Sequence, residues 1–571
     1  MRKLYIFLVI LAFGKSSFGQ TLPVGILENV EDAYRRQQLL GKDSLNSSYM
    51  IRPMFMSDKN NLQLDSAFSV NSFRKLLYSN PKFKTEIYAL PVVWQQQFNS
   101  HHPYGMNDGS MVQAKGYETQ ISAGIYAKIG PLSIQFRPEY VYAENKGFQR
   151  LADAPNGVYW NTPVTNGFYN KIDLPDRFND GDYNKFSLGQ SSIRLNFGPV
   201  SAGFSNENLW WGPGVRNSLL MSNNASGFRH LTLNTTRPIK TYIGSFEAQI
   251  IGGRLEQSGV TLNSDLTVPL AIRNELVQKP YDWRYISGMV LTYQPKWVPN
   301  LFFGLDRAFI VNRSKMGRRF GDYFPIFKAV EKSAYDQGNI NIDDTAERDQ
   351  YISFFTRYIL PESKAEIYFE YGRNDHSNDL RDALIEPEHT RAYVVGFRKL
   401  IPLRQNDEFI QLGVEFTQLE KPTTRETRAS ETWYAHYQVL DGYTNMGQVL
   451  GAGIGPGSNL QTVDVSWVKG LKRIGLQFER KVNNNDLFYQ FAYASADKNE
   501  YINRHWVDLS IGGNFSWSYK KFIVNAQLTY IRSLNYQYQW QESNPPEDYW
   551  TWDKQDVNNL HAKIGLMYMF K

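Results

Sequence analysis

Asn559-Leu560-His561-Ala562-Lys563-Ile564-Gly565-Leu566-Met567-Tyr568-Met569-Phe570 ends one residue before the end of the sequence, and its reading decides the fold. Leu560, Ala562, Ile564, Leu566, Tyr568 and Phe570 alternate with Asn559, His561, Lys563, Gly565, Met567 and Met569. Successive side chains of an extended strand point to opposite faces, so this period of two gives a strand with one greasy side. The same pattern recurs upstream. Leu132, Ile134, Phe136 and Tyr140 stand against Ser133, Gln135, Arg137 and Glu139, and Ala365, Ile367, Phe369 and Tyr371 against Glu366 and Glu370. Further runs are Ile410 to Phe416, Ile474 to Phe478 and Phe522 to Tyr530. In each, the charges sit opposite the apolar face. In a membrane barrel that opposite face is the lumen, and a charge facing lipid at mid-depth costs about 2–4 kcal/mol.

The expected fold class is therefore all-β: a transmembrane antiparallel outer-membrane β-barrel of about 16–18 strands with a small N-terminal helical segment. Lys563, Gly565, Tyr568 and Phe570 are spaced like the terminal recognition signal of bacterial outer-membrane barrels, which implies the barrel assembly machinery as a partner during biogenesis. Polar stretches between the strands, notably 145–189, 313–348, 421–458 and 541–558, are too long for simple turns and read as external loops.

Composition agrees with a barrel. Mean hydropathy is -0.47, yet aromatic residues reach 15%, with 36 Tyr, 35 Phe and 13 Trp. Polar lumen residues dilute lipid-facing ones, and aromatic girdles raise the ring count. With 0 Cys, the chain has neither disulfides nor thiolate metal sites nor a cysteine nucleophile. The net charge of +6 is spread along the chain without a dense basic block, so nucleic acid is not an expected partner.

At the N-terminus, Arg2 and Lys3 precede an apolar run from Leu4 to Phe13 and small residues ending at Gly19, so residues 1–19 read as a cleaved secretory signal peptide. Ile26, Val30, Ala33, Tyr34, Leu39 and Leu40 then share a helix face, and Gly41 suits its stop. A second helix is expected over Ser72–Ser79, with Phe73, Leu76 and Leu77 on one side. The expected division is a periplasmic helical segment over 20–83 and the barrel over 84–571, where the period changes to two.

One run departs from any strand or helix period: Asn208-Leu209-Trp210-Trp211-Gly212-Pro213-Gly214, followed by Ser218-Leu219-Leu220-Met221-Ser222-Asn223-Asn224-Ala225. Pro213 fixes its φ and lacks an amide donor, while Gly212 and Gly214 tolerate positive φ, so the chain turns sharply here. The run closely resembles the signature of the Wzi family, outer-membrane barrels that help assemble capsular polysaccharide. The resemblance implies a non-enzymatic, lectin-like protein that anchors or organises capsular or other surface polysaccharide. It implies no cofactor or metal, and outer-membrane lipid as surroundings; a monomer is expected. The motif residues are expected to shape the barrel wall and an adjoining loop.

Sugar binding needs flat apolar faces and planar hydrogen-bonding groups. Tyr159, Trp160, Tyr169 and Tyr183 lie among Asn161, Asn166, Asn170 and Asp180, and Tyr549, Trp550 and Trp552 among Asn544, Asp548 and Asp553; both are candidate glycan contacts. Tyr536, Tyr538 and Trp540 keep the parity of the greasy face that began at Phe522 and read as girdle. His101 and His102, before Pro103, read as an exposed polar loop. Glu366 and Glu370 read as lining a wet lumen, and Asp343, Asp344, Glu347 and Asp349 as a solvated acidic loop without EF-hand spacing. The alternatives are a porin or transport channel, in which the polar lumen conducts, and an outer-membrane hydrolase. For the latter, neither His-Glu-x-x-His nor Gly-x-Ser-x-Gly occurs among the 8 His and their neighbours.

Overall fold

The alternating segments form one antiparallel barrel of 18 strands in this computed structural model, which describes residues 19–25, 28–43, 46–56, 64, 68–150, 170–260, 279–280, 282–327, 348–374, 380–404, 407–422, 431–494, 505–538 and 556–570. Sequence neighbours pair with one another around the wall. The circle closes where Val557–Tyr568 pairs with Thr85–Asn99, from His561 opposite Asn99 to Tyr568 opposite Val92. Every repeat singled out by its period lies in the wall. Ile367, Phe369, Ile474, Leu476, Phe478, Leu560 and Ile564 are exposed on the outside, whereas Glu366, Glu370, Gln411 and Glu415 are buried inside. No helix among the described residues is long and apolar enough to cross a membrane.

Short turns such as 129–132, 197–200, 469–472 and 519–522 gather at one end of the strands, and the long connections at the other. This asymmetry is the mark of outer-membrane barrels, whose long loops face outside.

The expected first helix forms as Glu28–Leu39 and ends at Gly41, whose φ is +68°. Its apolar face, with Val30, Ala33 and Tyr34, is buried, but so are Asn29, Arg35 and Arg36 on the other side. All sides are covered because the helix lies inside the barrel. Asn29 donates to Ser516 Oγ at 2.5 Å, Arg35 to Glu366 at 2.7 Å, and Arg36 Nη2 to the Gly470 carbonyl at 2.6 Å, all three acceptors belonging to wall strands or a short turn. Burial pushes the Asp32 carboxyl upward, but the Arg36, Arg398 and Arg473 guanidiniums outweigh it and hold that carboxyl well below the usual carboxylate range.

The second expected helix, over Ser72–Ser79, does not form. A single 3-10 turn covers Val70–Phe73 and is followed by a strand, Lys75–Asn80, paired with Thr85–Asn99, so the barrel sheet starts ahead of Lys84. Leu76, Leu77 and Tyr78 are all exposed on this strand. A hairpin that extends the wall outcompeted a helix of barely two turns, for which intrinsic stability is marginal.

The lumen is filled rather than wet where Glu366 and Glu370 sit. Both are completely buried: Glu366 accepts from Arg35 and from Arg357 Nε at 2.7 Å, and Glu370 from the Leu219 amide at 3.2 Å. From the long-connection end, residues 431–459 fold inward. Trp433, Tyr434 and Tyr443 are fully buried around Tyr351, whose ring centroid lies 4.4 Å from that of Tyr443.

Candidate functional site: the lumen motif and the cavity beneath the external loops

The stretch 206–229 connects two wall strands, Val200–Ser205 and His230–Thr235, yet it leaves the wall and enters the lumen. The motif thus lies in a connection adjoining the wall, as half of the expectation had it, and not in the wall itself. Trp210 and Trp211 pair as a short antiparallel strand with Ile51–Arg52 of the N-terminal segment. Their side chains point opposite ways, and both are buried because there is filling on either side. Trp211 donates to Gln249 Oε1 at 2.9 Å and its ring presses on Gly288, where a Cβ would stand 2.8 Å from it. Trp210 lies under the Arg52 guanidinium at 4.3 Å. Leu209 and Met221 belong to the same packed core.

The sharp turn is used to collect partners. Gly212 has φ +114°, and a Cβ there would stand 2.9 Å from Glu370 Oε2, so close backbone approach requires glycine. The Pro213 carbonyl accepts from Arg35 Nη1 at 2.7 Å. Beyond Gly214, the amides of Val215 and Asn217 both donate to Glu415, at 2.7 and 2.9 Å. Asn208 Nδ2 donates to Asn223 Oδ1 at 2.7 Å, Ser222 Oγ to the Gly451 carbonyl at 2.5 Å, and Asn224 Nδ2 to the Val449 carbonyl at 3.0 Å. The motif thus ties the N-terminal helix, the wall and the inward loop 431–459 into one body. Asn208, Asn223 and Asn224 also donate to the buried carbonyls of Ala225, Asn107 and Val449, which explains the residue types.

Two cavities among the described residues lie on either side of Glu479. One of about 180 Å³ lies between the N-terminal helix and the motif, lined among others by Asp32, Trp210, Arg216, Asn223 and Lys563. The other, about 220 Å³, opens at the long-connection end and is lined by Tyr104, Lys481, Asn483, Trp506, Tyr536 and Tyr538 together with His102, Gln113 and Gln448. The Glu479 carboxylate separates them, accepting from Tyr104 at 3.4 Å on the outer side and from Arg216 Nη2 at 2.9 Å on the inner.

The outer cavity is lined by aromatic rings and planar amides. Asp508 is its hub: it accepts from Trp506 Nε1 at 2.9 Å, Asn483 Nδ2 at 2.8 Å and Ser533 Oγ at 2.6 Å, which fixes the indole plane and the amide beside it. Tyr538 donates to the Asn483 carbonyl at 2.7 Å and packs edge-on against Trp506 with centroids 5.9 Å apart. Tyr536 packs on His102 at 4.6 Å and on Trp506 at 5.2 Å. His102, buried here rather than in an exposed loop, titrates low, at about 4. Burial depresses it, Asp508 partly offsets this, and His101, Lys481 and Lys115 depress it further.

Tyr536 and Tyr538 therefore line the outer cavity and do not belong to a girdle. The strand that began at Phe522 ends at Leu534, and positive φ at Asn535, Gln537 and Tyr538 breaks the parity and turns the rings inward. Trp540 lies outside the described residues. So do Tyr159, Trp160, Tyr169, Tyr549, Trp550 and Trp552, as well as Asp343, Asp344 and Glu347. Of the named glycan candidates the described residues contain Tyr183, which packs edge-on against Phe178 at 5.6 Å beside Val112 and Ala114.

A closed antiparallel barrel with an apolar outside, long connections at one end and a polar, filled lumen defines an outer-membrane β-barrel protein. The chain belongs to the family described as capsule assembly protein Wzi, which it matches over residues 94–544. Among solved structures it is similar to Wzi of Escherichia coli, described as an outer-membrane protein involved in group 1 capsule assembly and a carbohydrate-binding β-barrel. The TM-score is 0.56 and the identity 13%, with 98% of this chain and 100% of that one covered, a likeness of fold. OprD of Pseudomonas aeruginosa (TM-score 0.38, 6% identity, 89% and 98% covered) and OpdQ of the same organism (0.37, 6%, 85% and 98%) also match. No curated protein matches in sequence.

Proposed function

We propose that this chain holds exported surface polysaccharide at the outer membrane, as a non-enzymatic, lectin-like member of the capsule assembly machinery. The observation that carries this reading is the outer cavity, lined by the rings of Trp506 and Tyr538 and the amide of Asn483, with the Trp506 indole and the Asn483 amide both fixed on Asp508. Stacking plus planar hydrogen bonding binds a glycan without reacting with it. Membership of a capsule assembly family and the fold likeness to a carbohydrate-binding barrel support it. In this reading residues 1–19 direct export and are removed, and the N-terminal helix stands at the periplasmic end. The protein works as a monomer after delivery by the barrel assembly machinery, and Tyr159, Trp160, Tyr169, Tyr549, Trp550 and Trp552 supply further contacts to the glycan.

The deciding experiment compares surface-bound with shed polysaccharide in cells lacking the chain and in cells carrying Trp506→Ala with Tyr538→Ala. Shedding of intact polymer in both supports the reading. Full retention in both sinks it. The channel alternative predicts steady conductance in planar bilayers. The packing of the N-terminal helix and of Trp211, Trp433 and Tyr434 inside the lumen argues for a nearly silent protein.

A further inference from the structure

The two cavities share one sector of the wall. On the strand Lys472–Val482, Lys481 lines the outer cavity and Gln477 the inner one; on the next strand, Val507–Tyr519, Asp508 and Asn514 do the same. Asn514 stands opposite Gln527, and Gln527 opposite Lys563, so polar side chains cross three strands in register around the inner cavity. Lys481 and Gln477 are about 13 Å apart along their strand, and on that face only Glu479 comes between them. The opposite sector is dry, with Ile251, Ala308 and Val394 packed into one core with Trp211 and Trp433.

Glu479 is held unevenly. Its Oε1 accepts from Arg216 Nη2 at 2.9 Å, Arg216 Nε at 3.1 Å and Thr462 Oγ1 at 3.0 Å. Among the described residues Oε2 accepts from Tyr104, at 3.4 Å. Tyr104 belongs to a connection between wall strands rather than to a strand, so the partition closes on one long bond at a loop. Behind it, the charges are paired, Asp32 with Arg398 and Asp464 with Arg473, but no hydrogen bond among the described residues engages the side-chain amides of Gln95 and Gln527. Such amides suit hydroxyl groups, which donate and accept as they do. Toward the short turns the sector ends in apolar packing, where Val30, Ala33 and Tyr34 of the N-terminal helix meet Val93, Ile523 and Met567.

We propose that the inner cavity is a second binding chamber, for one hydroxyl-rich group of about the size of a sugar ring, entered from the outer cavity through a door made by Tyr104 and Glu479. Arg216 and Thr462 hold the Glu479 leaf to its side, and displacement of Tyr104 opens the way. The apolar packing below makes the chamber a dead end, so it admits solute without conducting. The chamber is distinct from the polymer contact in the outer cavity, and retention of surface polysaccharide is not its readout.

The absence of cysteine from the chain makes the test direct. Intact cells carrying Lys481→Cys or Gln527→Cys are treated from outside with glucosyl methanethiosulfonate, and labelling is followed on barrels that show heat-modifiable gel migration. Lys481→Cys should label fast and Gln527→Cys slowly. Glu479→Ala or Tyr104→Ala added to Gln527→Cys should speed its labelling by about tenfold or more, the scale of a lost charge-assisted bond. Tyr104→Phe, which removes only the hydroxyl, should speed it as well, and Glu479→Gln should preserve most of the delay. Relative to Lys481→Cys, the opened chamber should favour the glucosyl reagent over benzyl methanethiosulfonate, and the opened variants should stay silent in planar bilayers. An unlabelled Lys481→Cys, fast labelling of Gln527→Cys behind an intact Glu479, no acceleration in Tyr104→Phe and the folded alanine variants, equal preference for the two reagents, or steady conductance would each overturn the proposal.

Discussion

Arg35 Nε and Glu366 Oε1 lie 2.7 Å apart with both side chains buried, and this ion pair is one of the contacts that fasten the N-terminal helix to the barrel wall. Glu366 also holds Arg357, and its neighbour Arg398 holds Asp32, so removing the carboxylate strands several cations at once. Glu366→Ala is expected to cost about 3–5 kcal/mol, as the loss of one partner of a buried pair does. Thermal unfolding in detergent and protease cutting near Arg35–Arg36 measure it. An unchanged melting curve would show that the helix is held elsewhere.

Trp211 fills the space over Gly288. Trp211→Ala is expected to destabilise the barrel by about 3–5 kcal/mol through lost burial and the cavity left behind. Gly288→Val works in the opposite sense, overpacking the same place at a cost of about 1–3 kcal/mol. If Trp211→Ala were neutral, the motif would be decoration rather than filling.

At the outer cavity, Trp506→Ala and Tyr538→Ala should each weaken binding of the cell's own purified polysaccharide by up to about tenfold, the scale of one aromatic contact. Asp508→Ala, which frees the Trp506 indole, should act in the same direction. Tyr242→Ala, at an exposed ring beside a short turn, is the matched control and should leave titration calorimetry unchanged.

His102 sets a pH dependence. Its folded pKa, about 4, lies below the ordinary value of 6.5, so the unfolded or opened state binds the extra proton first as pH falls. The stability this contributes around the cavity is full above pH 6.5 and is lost as pH falls through about 4. Trp506 fluorescence should hold steady from neutral pH to near 5 and then report loosening, and His102→Gln should flatten that response.

The wall was legible because its rule is local. Ile367, Ile474 and Leu560 sit outside and Glu366 and Gln411 inside through alternation alone, and alternation survives any error in strand ends. The contents of the wall were not legible. That Trp210 would lie beneath Arg52, or Glu415 beneath the amides of Val215 and Asn217, depends on contacts between segments far apart in the chain, and no period encodes them. Parity also misled once. It placed Tyr536 and Tyr538 on the lipid side because the positive φ at Asn535 and Gln537 leaves no strong mark in sequence, neither being glycine. The amide-rich motif did carry a signal: so many Asn side chains without strand or helix period suit buried loops that need their backbone satisfied.

The seam between Val557–Tyr568 and Thr85–Asn99 has a consequence for the order of events in biogenesis. The stretch 206–229 is tethered at both ends to staves of the wall, and the N-terminal helix touches Ser516 and Gly470 on strands and turns made late in the chain. A sealed cylinder has no side entrance through which such tethered pieces can be drawn. Short of entry through its open ends, the contents are expected to settle against a still open, curved sheet before the last stave shuts. The protein is wound around its own filling, and a fault in the filling is expected to surface as a failure to close.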